Sequence, residues 1–79
     1  MLTDAQRDRI RVLIAGEEDV LRKAQSRRGG TVGEFARCRG FNVVCGISLA
    51  LAGLGEEDLH KECGEVMDRI SSMPTSPDF

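Results

Sequence analysis

The sequence has no tryptophan and no tyrosine, and only three phenylalanines among its 79 residues. Its two prolines, Pro74 and Pro77, both stand near the carboxyl end. Strands of small β proteins are rich in aromatic and β-branched side chains, so this composition argues against a sheet protein. It favours an all-α chain instead.

Long hydrophobic runs are also missing. The longest apolar run, residues 41–53, has 13 residues, whereas about 20 are needed to span a bilayer. We therefore expect a buried central helix and no membrane association. The three cysteines form an odd set, and residues 1–11 lack the basic-then-apolar order of a signal peptide. A cytoplasmic protein with reduced thiols is predicted.

The short length predicts one domain that needs a partner. A chain of this size removes only about 60% of its unfolded surface from water, which makes a monomer marginal. Residues 1–40 carry nine basic and six acidic side chains, and residues 41–79 carry two and seven. Such asymmetry is typical of nucleic-acid binders or of proteins with complementary faces, although plain surface charge is commonest. Residues 1–73 are expected to form a single helical domain, and residues 74–79 a disordered tail.

Helix-start signals divide the domain into three helical regions. Thr3 and Gln6 have capping-box spacing, as do Thr31 and Glu34. Gly16 is followed by three acids, which favours a kink or break there. The alternative is that residues on both sides of Gly16 form one long helix. The paired glycines 29 and 30 are expected to end the first region.

The third region, residues 56–73, has the clearest amphipathic pattern. Its apolar stripe consists of Leu59, Cys63, Val66, Met67 and Ile70. The fold class is therefore predicted as a small helical bundle of three to four helices with a central apolar helix, completed by dimerisation.

Catalytic and metal signatures are weak. Cys38, Cys45, His60 and Cys63 are the candidate soft ligands, but no CxxC pair exists, and Cys38 and Cys45 stand roughly 10 Å apart by helical rise. A Cys45–Cys63 disulfide and plain burial of thiols are the alternatives, and we favour burial. The single histidine has no evident orienting group, and no phosphate-binding glycine motif is present. We expect no enzyme activity, no metal and no cofactor.

Residues 31–53 resemble a helix-turn-helix motif. The resemblance is carried by Phe35, Ala36, Gly40, Phe41, Asn42 and Leu49. It implies a break at Gly40, a second helix in the DNA major groove, and a DNA-binding regulator. The nucleic-acid contacts would then be Arg27, Arg28, Arg37, Arg39 and Asn42.

The favoured alternative is that Gly40 continues the helix. Residues 43–47 are apolar, whereas a recognition helix needs polar side chains there to contact the DNA bases. At 100° per residue, Gly33 and Gly40 fall on one side of the helix and Gly46 and Gly53 on nearly the opposite side, so either side can take a neighbour. We therefore predict a small regulator, adaptor or inhibitor that binds an unidentified protein and acts as a homodimer. The predicted interface residues are Phe41, Val44, Ile47 and Leu51.

Overall fold

The computed structural model describes residues 1–78 and shows a mostly helical protein, which confirms the small all-α fold. Three helices account for most of the described chain, and two very short strands pair in parallel. The elements are α1 (Asp4–Arg27), β1 (Val32–Gly33), α2 (Glu34–Gly53), α3 (Glu57–Ser71) and β2 (Thr75–Ser76).

Helix α1 begins with the predicted capping box. The Thr3 hydroxyl accepts from the Gln6 N–H at 3.1 Å, and the Gln6 amide oxygen accepts from the Thr3 N–H at 2.8 Å. No break occurs at Gly16, since α1 runs from Asp4 to Arg27 as one helix. Two of the acids after Gly16 instead form ion pairs between helices: Glu17 pairs with an arginine of α2, and Glu18 with an arginine of α3.

The end of α1 follows the sequence pattern. Gly29 and Gly30 have φ values of 72° and 105°, a region that only glycine enters without strain. The Gly30 N–H donates to the Gln25 carbonyl at 2.9 Å, and so satisfies one of the last carbonyls of the helix.

Helix α2 is continuous through Gly40, so residues 31–53 form no helix-turn-helix. Gly40 is instead a packing position against α1, where a Cβ would lie 2.9 Å from Leu21 Cδ1. The small residue lets the two helices approach closely. A glycine at this position is therefore explained by helix packing, although in the sequence it resembles the glycine of a turn. Thr31 does not cap α2 either, since the N-cap is Gly33 and the Thr31 hydroxyl pairs with Ser76 Oγ at 3.0 Å.

Helix α3 buries the stripe that its sequence pattern predicts. Leu59, Cys63, Val66 and Ile70 are buried, and Met67 is half-buried against the core. Helix α3 packs along both other helices. The core of the protein comprises Ile14, Leu21, Val32, Val44, Leu51, Leu59, Cys63, Val66, Ile70 and Met73.

The chain after α3 packs on the fold, in contrast to the disorder expected for residues 74–79. Strand β2 pairs in parallel with β1, and the Val32 N–H donates to the Pro74 carbonyl at 3.0 Å. Asp78 accepts from the Phe35 N–H at 3.2 Å, which supplies the cap that Gly33 cannot provide. Buried Met73 anchors this segment. Phe79 lies outside the described residues.

Candidate protein-binding surface

The four predicted interface residues face the interior of the protomer. Val44 and Leu51 are 0% and 2% exposed, and Phe41 and Ile47 are half-buried against the core. A partner could reach Val44 or Leu51 only if α1 or α3 separated from α2. Val44 and Leu51 are therefore core residues and cannot form an interface in this fold, while the exposed apolar side chains of α2 lie on the opposite side of the helix.

The outward side of α2 forms an apolar surface, which we call the α2 ridge. It consists of Val43, Gly46, Leu49, Ala50 and Gly53, all exposed, with Leu49 at 70%. Beyond α2's own backbone, no atom of the described chain lies within 4 Å of where a Cβ at Gly46 or Gly53 would stand. The ridge thus alternates large side chains with positions where another helix can approach closely.

A second apolar surface lies on α1, and we call it the α1 patch. It consists of Val12, Leu13, Gly16 and Val20, all exposed, with Leu13 at 62%. Val12 and Leu13 also line a shallow apolar depression of about 430 Å³, together with the stems of Asp8 and Arg9. Large apolar side chains that cluster on a surface mark protein or ligand contacts more often than scattered ones do.

The two surfaces are neighbours on one side of the α1–α2 hairpin. Glu17 of α1 and Arg39 of α2 meet across the groove between these antiparallel helices, with Oε1 and Nη1 3.5 Å apart. One helical turn further along each helix stand Leu13 and Val43, which therefore border the same groove. Helix α3 packs against α1 and α2, but the α1 patch and the α2 ridge stay in solvent.

The seam between α1 and α3 is bridged by ion pairs and also contains an open pocket of about 360 Å³. From one end to the other, the pairs are Arg7–Glu56 at 3.0 Å, Arg11–Glu62 at 3.1 Å and Arg69–Glu18 at 2.9 Å. Hydrogen bonding from Arg69 is the main cause that holds the pKa of Glu18 below its usual value, and Arg7 does the same for the pKa of Glu56. The arginines of this seam are paired within the protomer, whereas the large apolar side chains of the α1–α2 hairpin are exposed to solvent.

The residues predicted as nucleic-acid contacts do not form one DNA-recognition surface. Arg28 donates to the Pro77 carbonyl at 2.9 Å, Arg39 pairs with Glu17, and an Arg37 N–H points at Cys38 Sγ at 3.9 Å. Arg27 and Asn42 are exposed on different helices. The unbroken α2 removes the recognition helix on which their alignment depended.

The cysteines and the histidine are dispersed. Cys38 is exposed, Cys45 half-buried and Cys63 buried, and all three are free thiols. Burial, followed by the nearby Glu62 carboxylate, raises the pKa of Cys63, which keeps it a neutral packing group. His60 is exposed. Within residues 1–78, no group of three His, Cys, Asp or Glu side chains is arranged to hold a metal ion.

Sequence reasoning missed the exposed residues Leu13, Val20, Val43 and Leu49. The available signal was the pair Gly46 and Gly53, which falls on the side of α2 opposite Gly40.

Helix α2 is long enough and apolar enough to cross a membrane, although core helices of water-soluble proteins meet the same two criteria. Comparisons with protein-family models, curated proteins and solved structures find no match for the chain.

Proposed function

We propose that the protein is a small non-enzymatic regulator, adaptor or inhibitor of the cytoplasm that acts by binding another protein, and that it works as a homodimer. The observation that carries the proposal is the apolar side of the α1–α2 hairpin. Leu13, Val20 and Leu49 are each more than half exposed there, although the protein has few apolar side chains to spare for its core.

The total surface supports association. The accessible area of the protomer is 5238 Å². Monomeric proteins of 8.6 kDa expose about 4,700 Å² by the usual scaling with mass. The protomer therefore has roughly 500 Å² more surface than a monomer of its size. Pairing with other chains would remove this excess from water.

The α1 patch is the surface that we assign to the partner protein. Its apolar depression beside Val12 and Leu13 fits a large apolar side chain, and Arg9 stands at its edge. Full burial of a leucine or valine side chain contributes about 1.5–3 kcal/mol before the cost of association is subtracted. Three such side chains contribute about 4.5–9 kcal/mol, which is similar to the cost of association, so the contact also needs the surrounding residues of the patch.

Gly16→Gln tests this assignment with little effect on the fold. The position is exposed, and outside α1's own backbone the described chain has no atom within 4 Å of a Cβ there. Gly64→Gln on α3 is the matched control, because its surroundings are equally open. Tagged protein recovered from the native host should retain a partner as wild type and as Gly64→Gln, and lose it as Gly16→Gln. Equal recovery by all three would refute the α1 patch as the binding surface.

The homodimer is tested by light scattering. The scattering mass of the purified protein at tens of micromolar should be twice that of the 8.6 kDa chain. A monomer at that concentration would contradict the dimer, while the partner contact at the α1 patch would still be decided by the recovery experiment.

A further inference from the structure

We propose that the α2 ridge binds the α2 ridge of a second copy, with the two helices antiparallel and the two-fold axis beside Gly46. The inference rests on the proposed homodimer and specifies its surface and orientation. It leaves the α1 patch to the partner protein.

The shape of the ridge is self-complementary in this arrangement. With Gly46 on the axis, residues whose numbers are equally distant from 46 lie at the same level, because each residue rises 1.5 Å along a helix. Leu49 is then level with Val43 of the second copy, but the two side chains lie on opposite sides of the contact line, because residues 43 and 49 are about 120° apart around the helix. Leu49 therefore packs over Asn42 and Gly46 of the second copy, and Val43 over Ala50. Large side chains thus meet small ones on both sides of the axis, and the absent side chain of Gly46 allows close approach.

Charge selects the antiparallel orientation. Arg39 lies level with Gly53 of the second copy, next to the start of α3, where Glu57 and Asp58 stand. Neither of these acids takes part in an ion pair within residues 1–78. A parallel pair would instead bring Arg39 close to Arg39 of the second copy, and like charges at close range repel.

The apolar surface extends along the whole length of α2. Phe35 and Leu54, 74% and 65% exposed, extend the ridge at its two ends, so apolar side chains follow α2 along its roughly 30 Å length. A standard interface buries about 800 Å² on each partner, and more than half of the α2 residues are exposed. Arg39 on the same side favours a protein occupant with acids over lipid chains.

Gly46→Gln separates folding from pairing, because the protomer has open space at this position. Gly64→Gln is again the control. Sedimentation should show a dimer dissociation constant raised about 10- to 100-fold by Gly46→Gln, since the added side chain forces the helices apart. It should show no change for Gly64→Gln. An unchanged dimer in Gly46→Gln, with helical content preserved, would overturn the proposal.

Cysteine crosslinking tests the orientation. Asn42→Cys and Leu49→Cys are placed separately in a chain that carries Cys38→Ser and Cys45→Ala, and the two proteins are oxidised alone and mixed. The antiparallel pair predicts a mixed 42–49 disulfide that forms severalfold faster than either self-crosslink, because a disulfide needs Cα atoms about 4.4–6.8 Å apart. Faster self-crosslinks would indicate a parallel pair and refute the orientation. Binding of wild type to neutral lipid vesicles, lost in Gly46→Gln, would refute the second copy as the occupant.

Discussion

Gly16→Ala should stabilise the protein, and the size of the effect follows from the continuity of α1. Gly16 is an exposed position inside a 24-residue helix, and apart from α1's own backbone no described atom lies within 4 Å of a Cβ there. Alanine is favoured over glycine by about 1 kcal/mol at such a position. The free energy of unfolding should rise by that amount, and the melting temperature by roughly 4–8 °C for a domain of this length.

Gly40→Ala is the matched comparison, because it brings the same helix preference to a crowded position. Its Cβ would stand 2.9 Å from Leu21 Cδ1, and overpacking of this kind costs about 1–3 kcal/mol. Gly40→Ala should therefore leave the free energy of unfolding unchanged or lower it by up to about 2 kcal/mol. The difference between the two alanine variants isolates the contact between α1 and α2.

Urea unfolding followed by helical circular dichroism measures both variants. Protein concentration must be held constant, since association with another chain raises apparent stability. A loss of stability in Gly16→Ala would refute the reasoning, because it would mean that residue 16 has a backbone conformation that only glycine adopts readily. A gain in Gly40→Ala equal to that in Gly16→Ala would show that Leu21 does not crowd Gly40.

Two further predictions concern the carboxyl-terminal segment and the α1–α3 seam. Asp78→Ala removes the acceptor of the Phe35 N–H and should lower the urea midpoint by the equivalent of about 0.5–2 kcal/mol, whereas Asp78→Asn, which still can cap, should lower it less. Because Arg69 and Arg22 depress the pKa of Glu18 from 4.5, its ionised carboxylate stabilises the fold above about pH 4.5 and this contribution is lost as the pH falls further. Glu18→Gln should therefore flatten the loss of stability below that pH, and an acid slope equal to that of wild type would contradict the role of the pair.

The parts of the fold that sequence predicted correctly depend on local chemistry. The capping box at Thr3 and Gln6 needs only residues three apart, and it is present. The buried stripe of α3 follows from one strong helical repeat opposite an acidic face, so its inward side is unambiguous. The paired glycines after α1 adopt the conformation that their type permits.

The sequence-based predictions that are wrong concern features that depend on tertiary contacts. Acids after Gly16 suggest a helix start, but Glu17 and Glu18 also pair with Arg39 and Arg69, which are far away in the sequence. Residues 41–53 of α2 are apolar on nearly all sides, so the sequence pattern does not distinguish the inward side from the outward side. The sequence-based prediction therefore places the buried residues Val44 and Leu51 in an interface. The carboxyl-terminal segment is held in place by hydrogen bonds to Val32 of β1 and Phe35 of α2, which are far away in the sequence.

The pairing of β2 with β1 also determines how the protein should be tagged. A fusion or label added after residue 79 would begin next to Asp78, whose carboxylate caps α2 and stands beside Gly33. Such an addition would disturb the start of the helix that carries the α2 ridge. The amino end is at the opposite end of α1, near the start of α3, where Arg7 meets Glu56. Affinity tags for purification and fluorophores for binding measurements therefore belong before Met1.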